Sequence, residues 1–185
     1  MTPRVLVAVS ILALGVATGC GPVTLPESNS DAERTATVAR VTDGDTVEIR
    51  PAIDGEEDLR LIGVDTPETA GSPRGAQPYG EEAAEYAEEK LEGRRVTLRF
   101  DVEKTDQYDR LLAYVYLSDG SMFNETLLEE GYAQVATFPP NVRHLGSFET
   151  AQRMAREAER GIWSLPESQL CRLTDRGNGI GGGCR

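Results

Sequence analysis

The fold of this chain is decided in residues 38–49, which read VARVTDGDTVEI. Apolar side chains alternate with polar ones on both sides of a central Asp43-Gly44-Asp45, and Asp-Gly pairs are typical of tight turns. A period of two indicates strands buried on one face, and a turn between two such runs indicates a hairpin. Residues 38–49 therefore predict two antiparallel strands whose turn carries two carboxylates.

The rest of the chain predicts further short elements. Strands are expected at residues 59–64, 96–100 and 111–117, and helices at residues 80–91, 124–130 and 147–160. Asn124 and Ser147 are the expected N-caps, Met154 is expected in the core, and the acidic segment 51–58 is expected to be a loop. Five short strands with helices between and after them predict an α+β fold around a small Greek-key β-barrel.

The N-terminus has the pattern of an export signal. Arg4 precedes an apolar run at residues 5–16, and Ala17-Thr18-Gly19 comes directly before Cys20. The run is short for a membrane span, which favours a signal peptide at residues 1–19. The residues before Cys20 resemble a bacterial lipobox, so we expect lipidation of Cys20 and an exported protein, anchored to the cell membrane or extracellular. Ordinary cleavage near Gly19 and an uncleaved anchor are the alternatives.

The remaining chain divides by composition. Residues 20–34 lack apolar periodicity and are expected to be a tether, residues 35–165 form the domain, and residues 166–185 are a tail rich in glycine and cysteine. If Cys20 is lipidated, Cys171 and Cys184 are left as an even pair in an oxidising setting, which favours a disulfide. A metal site is the weaker alternative, because two cysteines without nearby histidines are poor zinc ligands.

The charge of the chain argues against one common class of nucleic-acid-binding protein. Asp and Glu number 31 against 19 Lys and Arg, which gives a formal net charge of −12. Proteins that bind nucleic acid through a broad basic face have the opposite balance. Either nucleic acid is not the ligand, or the contact is local and assisted by a metal ion.

Three short segments carry groups that phosphodiester chemistry requires. They are DGDT at residues 43–46, RLIGVDTPE at residues 60–68 and DQYDR at residues 106–110. Carboxylates can hold a hard divalent cation, guanidinium groups can bind phosphate, and a further carboxylate can take a proton from water. Taken singly, each segment is also explained by turn residues or by surface arginines paired with nearby acids. Their order and spacing together favour a catalytic site.

These segments resemble those of the staphylococcal nuclease family. The likeness covers residues 36–164 and includes Asp-Gly-Asp-Thr at 43–46, Arg-x4-Asp-Thr-Pro-Glu at 60–68, Tyr-Gly-x-Glu-Ala at 79–83 and Asp-x-Tyr-x-Arg-x-Leu-Ala-Tyr at 106–114. The resemblance implies an OB-type five-stranded Greek-key β-barrel with three α-helices. It also implies a Ca²⁺-dependent nuclease that hydrolyses DNA to 3′-phosphorylated products, with RNA as a further candidate substrate.

The resemblance assigns a metal site and a base. Asp45 and Asp65 are expected to hold Ca²⁺ through their carboxylates, with the backbone carbonyl of Thr66 as a third ligand. Oxygen ligands of this kind are those that Ca²⁺ prefers. Glu68 is expected to orient or deprotonate the attacking water.

The resemblance also assigns the groups that bind the substrate. Arg60 and Arg110 are expected to grip the phosphate and to neutralise charge in the transition state. Tyr108 is expected to contact the terminal nucleotide, and Arg74 to supply positive charge from the loop after Glu68.

The chain also departs from the family pattern. Gln107 replaces a lysine, and Thr137 and Phe138 lie where the family has tyrosines that bind the nucleotide base. The catalytic set is complete while the binding groove is less basic. The alternative hypothesis is a catalytically inactive OB-type lipoprotein that binds nucleic acid or protein, but a complete catalytic set without a basic groove favours the enzyme. In either case we expect a monomer.

Overall fold

The computed structural model describes residues 33–173 and residue 180. The strands are β1 (Arg34–Asp43), β2 (Thr46–Ile53), β3 (Glu56–Leu61), β4 (Gly63–Asp65), β5 (Arg95–Arg99), β6 (Leu111–Tyr116) and β7 (Gln134–Ala136). The helices are α1 (Gly80–Leu91), α2 (Phe123–Glu129), α3 (Leu145–Glu157) and the short α4 (Glu167–Leu170), with a 3-10 turn at Gly161–Ser164. The predicted signal peptide, Cys20, Cys184 and nearly all of the tether lie outside the described residues, so those assignments stay predictions.

Five strands close into a barrel in the order β1-β2-β3-β6-β5, with β5 returning to β1. Strands β3 and β6 pair in parallel and the other neighbours are antiparallel. The barrel interior is apolar, and Val38, Ile49, Leu59, Leu98 and Val115 are fully buried in it. This arrangement confirms the predicted α+β fold with an OB-type five-stranded barrel.

The predicted hairpin between β1 and β2 is present, and its turn lies against the loop after β4. A Cβ atom on Gly44 would lie 2.7 Å from Cγ2 of Thr66, a distance that side chains do not tolerate. Glycine is therefore needed where the turn approaches Thr66. This close approach brings the carboxylates of the turn close to Asp65, the last residue of β4.

Residues 51–58 were predicted to be a loop, and this prediction is wrong. Strand β2 continues to Ile53 and β3 begins at Glu56, so only Asp54 and Gly55 form the turn. Both residues have positive φ, 55° and 98°, which suits a two-residue hairpin turn. The acidic residues here mostly occupy exposed positions of the strands. Because they are charged, this segment lacks the apolar alternation from which strands are predicted.

The third predicted strand is broken in two. It splits at Ile62 into β3 and β4, because Gly63 has a φ of 80° and turns the chain. A Cβ atom there would lie 2.5 Å from the ring of Phe148, so glycine is required for packing as well. Strand β4 then pairs with β7, a strand that the sequence did not reveal, and Asp65 lies opposite Gln134. Pairing with β7 therefore fixes the backbone position of Asp65 at the end of β4.

The helix starts and one core assignment differ from the predictions. Helix α2 begins at Phe123, so Asn124 lies inside the helix, and α3 begins at Leu145 with Ser147 in its first turn. The buried stripe of α3 runs through Phe148, Ala151 and Ala155. Met154 lies beside this stripe on the helix surface, so its side chain is 59% exposed and is not part of the core.

Asn124 joins two parts of the barrel instead of capping a helix. It is completely buried; its Oδ1 accepts the N–H of Val115 at 2.8 Å, and its Nδ2 donates to the carbonyl of Ile62 at 2.9 Å. The side chain therefore satisfies one backbone group on β6 and one at the break between β3 and β4. Buried backbone groups of this kind need partners.

We expect Asn124→Ala to lower the free energy of unfolding by about 1–3 kcal/mol for each backbone group left without a partner. Chemical denaturation with urea would measure the change. Glu129→Ala, at an exposed position of the same helix, is the control and should leave the stability almost unchanged. Equal stabilities of the two variants would contradict the bridging role.

The C-terminal part of the described chain packs on the domain. Leu173 and Ile180 are buried in a cluster with Ala155, Ile162 and Trp163. Cys171 is in a disulfide, and Cys184 lies outside the described residues, so their pairing stays a prediction. Within the described part of the chain, no helix has the length and apolarity that crossing a membrane requires.

Candidate active site

An open cleft of about 940 Å³ lies where the barrel meets the loops after β4 and before β6. All eight residues that the sequence analysis assigned to metal, catalysis or substrate line this cleft. They are Asp45, Arg60, Asp65, Thr66, Glu68, Arg74, Tyr108 and Arg110. Three separate stretches of chain supply them, and the barrel topology brings these stretches together.

The two carboxylates expected to bind metal are almost fully buried. Asp45 is 4% exposed and Asp65 is 7% exposed. Oδ2 of Asp45 accepts the backbone N–H of Thr66 at 2.8 Å, and Oδ1 accepts the hydroxyl of Thr46 at 3.1 Å. These bonds fix the Asp45 carboxylate against the segment that carries Asp65.

Asp43 is a third carboxylate at this place, to which the sequence analysis gave no role. Its Oδ1 accepts the backbone N–H of Asp45 at 3.1 Å and so shapes the turn. Burial raises the pKa of the Asp43 carboxyl above its ordinary value, against the opposing effect of Arg60. The Asp-x-Asp spacing could have revealed this role, because the side chain of an Asp in a turn often accepts a hydrogen bond from the backbone N–H two residues later.

Arg60 connects both buried carboxylates. One nitrogen of its guanidinium pairs with Asp45, while Nη2 donates to Oδ1 of Asp65 at 3.0 Å and to the carbonyl of Val64 at 3.2 Å. The Arg60 side chain is only 17% exposed. A single guanidinium thus serves two carboxylates, and with Asp43 nearby the local charge remains negative.

The donor chemistry at this place fits a hard cation. Two buried carboxylates share one arginine, and the backbone N–H of Thr66 donates to one of them. Oxygen donors with excess negative charge suit Ca²⁺. No group of three or more His, Cys, Asp or Glu side chains suited to a metal ion occurs in the described residues. The expected ligand set has two carboxylates and one backbone carbonyl, which leaves positions to water and substrate.

Glu68 lines the same cleft and is held by the loop that follows it. Oε2 accepts the hydroxyl of Ser72 at 2.5 Å, and Oε1 accepts Nη1 of Arg74 at 3.0 Å. The backbone N–H of Glu68 donates to Oε1 of Gln77 at 3.1 Å, and the N–H of Gln77 donates to the carbonyl of Glu68 at 2.9 Å. Nothing in the spacing of Ser72 and Gln77 along the sequence indicates that they contact Glu68.

Arg110 is oriented by Asp106. Both Nε and Nη2 of Arg110 donate to Oδ2 of Asp106, at 2.8 and 2.6 Å, and Oδ1 of Asp106 accepts the backbone N–H of Tyr108 and of Arg110. Burial alone would raise the pKa of Asp106, but the hydrogen bonds from Arg110 and Tyr108 hold it below its ordinary value. The spacing of four residues between Asp106 and Arg110 could have suggested this pair.

The mouth of the cleft carries exposed aromatic rings. Tyr108 is 70% exposed and Phe138 is 66% exposed, and both line the cleft. The guanidinium of Arg110 lies 5.5 Å from the centre of the Tyr108 ring. Exposed rings beside a charged cleft can stack on the bases of a nucleotide.

The known proteins that this chain resembles are described as nucleases. A family model described as "Staphylococcal nuclease homologue" matches residues 58–165. The chain is 38% identical over 161 residues to a thermonuclease of Staphylococcus hyicus, an alignment that covers 86% of this chain and 94% of the relative. It is 40% identical over 159 residues to a thermonuclease of Staphylococcus intermedius, covering 85% and 92%. Endonuclease YncB of Bacillus subtilis (strain 168) is 40% identical over 131 residues, covering 69% of this chain and 61% of the relative.

Proposed function

Because the chain belongs to the staphylococcal nuclease family and is a phosphodiester-hydrolysing nuclease, we propose that it is an exported, Ca²⁺-dependent enzyme that cleaves DNA and RNA to 3′-phosphorylated products. The observation that supports this most is the cleft itself. It brings two buried carboxylates, two oriented guanidinium groups and the carboxylate of Glu68 to one place.

Ca²⁺ would be held by the carboxylates of Asp45 and Asp65 and by the backbone carbonyl of Thr66. When bound, the cation supplies positive charge to the phosphate and helps to place the attacking water. The N–H of Thr66 and the hydroxyl of Thr46 keep the Asp45 carboxylate in one orientation. The side chain of Asp45 would therefore lose little conformational freedom when the cation binds.

Glu68 is proposed to orient the attacking water and to accept its proton. Its side chain is 17% exposed and lines the same cleft as the two arginines, so water can reach it. A carboxylate oxygen has two lone pairs, and one acceptor site on each oxygen is left after the bonds from Ser72 and Arg74. The carboxylate can therefore be held and still accept a hydrogen bond from water.

Arg60 and Arg110 are proposed to bind the phosphate oxygens. Guanidinium groups form two parallel hydrogen bonds with phosphate and lose little freedom when they are already oriented. Asp106 orients Arg110, and Asp65 and Val64 orient Arg60. Both groups would neutralise the additional negative charge that the phosphorus centre acquires when water attacks.

The bond changes proposed here are those that the family resemblance implies. The water oxygen forms a bond to phosphorus, its proton passes to Glu68, and the bond from phosphorus to the 5′-oxygen breaks. The departing 5′-oxygen takes a proton from solvent. The products are one strand end with a 3′-phosphate and one with a 5′-hydroxyl group. Tyr108, with Phe138 nearby, is proposed to contact the terminal nucleotide, and Arg74 to assist from the loop after Glu68.

The cellular setting is also a proposal. We propose export through the signal peptide at residues 1–19 and a lipid on Cys20 that tethers the enzyme to the membrane, with a monomeric domain at residues 35–165. Support comes from the sequence pattern alone, because these N-terminal residues lie outside the described structure.

The chemistry of the new ends tests the proposed function. DNA digested by the purified protein with Ca²⁺ should be labelled directly by a polynucleotide kinase that lacks 3′-phosphatase activity, because each cut exposes a 5′-hydroxyl group. The same fragments should not be extended by a DNA polymerase until a phosphatase removes the 3′-phosphate. Fragments that need dephosphorylation before kinase labelling would refute the proposed position of bond cleavage.

A further inference from the structure

The loop between Glu68 and α1 folds back onto the Glu68 side chain. The N–H of Ser72 donates to the carbonyl of Thr69 at 3.1 Å, and the N–H of Gly75 donates to the carbonyl of Ser72 at 2.9 Å. These bonds form two consecutive turns. They place the side chain of Ser72, the residue shared by the turns, beside the Glu68 carboxylate.

Ser72 is the central residue of a small hydrogen-bond network. Its hydroxyl donates to Oε2 of Glu68 at 2.5 Å, and its oxygen accepts the backbone N–H of Arg74 at 3.2 Å. Arg74 in turn donates to Oε1 of Glu68 at 3.0 Å. Each carboxylate oxygen of Glu68 is therefore held by a different residue of one loop, and rotation of the carboxylate about its last torsion would break both bonds.

The two contacts differ in strength. The Arg74 side chain is 61% exposed, and ion pairs at such positions are weak because water and salt screen them. The bond from Ser72 is partly buried and directed at a carboxylate, and hydrogen bonds to ionised acceptors are stronger than neutral ones. The hydroxyl of Ser72 is therefore the contact that determines where the carboxylate points.

From this geometry we propose that Ser72 is a positioning residue for catalysis, acting through Glu68 by fixing its carboxylate in the orientation that receives the water proton. The proposal rests on the proposed role of Glu68 as the group that handles the water. Ser72 itself need not touch substrate or metal. Arg74 adds a second, weaker restraint on the same carboxylate.

We expect Ser72→Ala to lower kcat roughly tenfold to hundredfold, because small displacements of a catalytic group have effects of this size. The KM for a DNA oligonucleotide and the thermal unfolding midpoint should change little, since neither binding nor packing uses the hydroxyl. Ser72→Thr keeps the hydroxyl and should restore most of the lost turnover. Ser118→Ala, which removes an exposed serine after β6, is the matched control and should behave like the unchanged protein.

A double variant separates positioning from other effects. In the Glu68→Ala background, where the carboxylate is absent, Ser72→Ala should cause no further loss of the residual turnover. An equal loss in both backgrounds would show that Ser72 acts by another route and would overturn the proposal. Unchanged or increased kcat in Ser72→Ala, or failure of a folded Ser72→Thr variant to recover turnover, would also overturn it.

The turnover of Glu68→Ala and of Ser72→Ala, measured side by side, tests the two roles separately. If Glu68→Ala keeps the turnover of the unchanged protein, the role of Glu68 is wrong, and the positioning role of Ser72 is wrong with it. If Glu68→Ala is nearly inactive while Ser72→Ala is fully active, the role of Glu68 stands and only the role of Ser72 is refuted.

Discussion

Replacement of Arg110 by alanine is expected to lower kcat by about 10² to 10³-fold, the usual effect of removing an oriented donor to developing negative charge. Arg110 is suited to this role because Asp106 fixes its guanidinium through two hydrogen bonds before substrate arrives. Steady-state cleavage of a fluorogenic DNA oligonucleotide would measure kcat. Arg110→Lys should recover little, because an ammonium group cannot form the paired bonds of a guanidinium.

The matched control for this variant is Arg153→Ala. Arg153 also pairs with an acid four residues away, Glu157 at 3.1 Å, and its side chain is 60% exposed on α3. The two variants thus remove the same type of side chain and the same type of ion pair. Near-normal turnover in Arg110→Ala, or an equal loss in both variants, would show that the Arg110 guanidinium has no specific part in the reaction.

The acidic composition of the chain has a counterpart inside the cleft. Within the described residues, four arginines line it, and each is paired with a carboxylate: Arg40 with Glu48, Arg60 with Asp45 and Asp65, Arg74 with Glu68, and Arg110 with Asp106. Positive charge is therefore present but locally neutralised. A phosphate that enters must share these arginines with their carboxylates, which makes a bound cation important for affinity as well as for catalysis.

Some features of the fold were predictable because local signals and packing agree. The hairpin of β1 and β2 was evident because Asp43-Gly44-Asp45 interrupts a period-two pattern. Packing agrees with this local signal, since a residue larger than glycine at position 44 would clash with Thr66. The placement of the eight cleft residues could be expected from the family motifs. Order along the chain, together with a barrel topology, is sufficient to bring such segments together.

Other features depend on tertiary contacts that leave no periodic pattern. Asn124 looks like a helix cap because Asn often begins helices, yet its hydrogen bonds go to β6 and to the break between β3 and β4. Strand β7 has only three residues and exists because β4 pairs with it. Ser72 lies in an irregular loop, where only the folded backbone shows that its hydroxyl reaches Glu68.

Chelation of Ca²⁺ is expected to abolish turnover, because the carboxylates of Asp45 and Asp65 are proposed to hold the ion that the phosphate and the attacking water require. Readdition of Ca²⁺ should restore cleavage. Unchanged turnover in the presence of a chelator would refute the dependence on a divalent cation.

Ca²⁺ should also stabilise the folded protein without any substrate. A ligand that binds only the native state adds about 2.7 kcal/mol to the free energy of unfolding when its concentration is 100 times its Kd. The physical source here is relief of the negative charge of two carboxylates that are 4% and 7% exposed and share Arg60. The thermal unfolding midpoint should therefore rise with Ca²⁺ concentration, and this measurement does not depend on activity.

A matched pair of variants locates the cation. Asp65→Asn removes one proposed ligand charge and should abolish most of the Ca²⁺-dependent rise of the unfolding midpoint. Asp54→Asn makes the same chemical change at the exposed turn between β2 and β3, where asparagine suits the positive φ of 55°, and should keep the full rise. If Asp65→Asn rises as much as Asp54→Asn, Ca²⁺ binds elsewhere on the protein, and the buried carboxylates of the cleft have a different purpose.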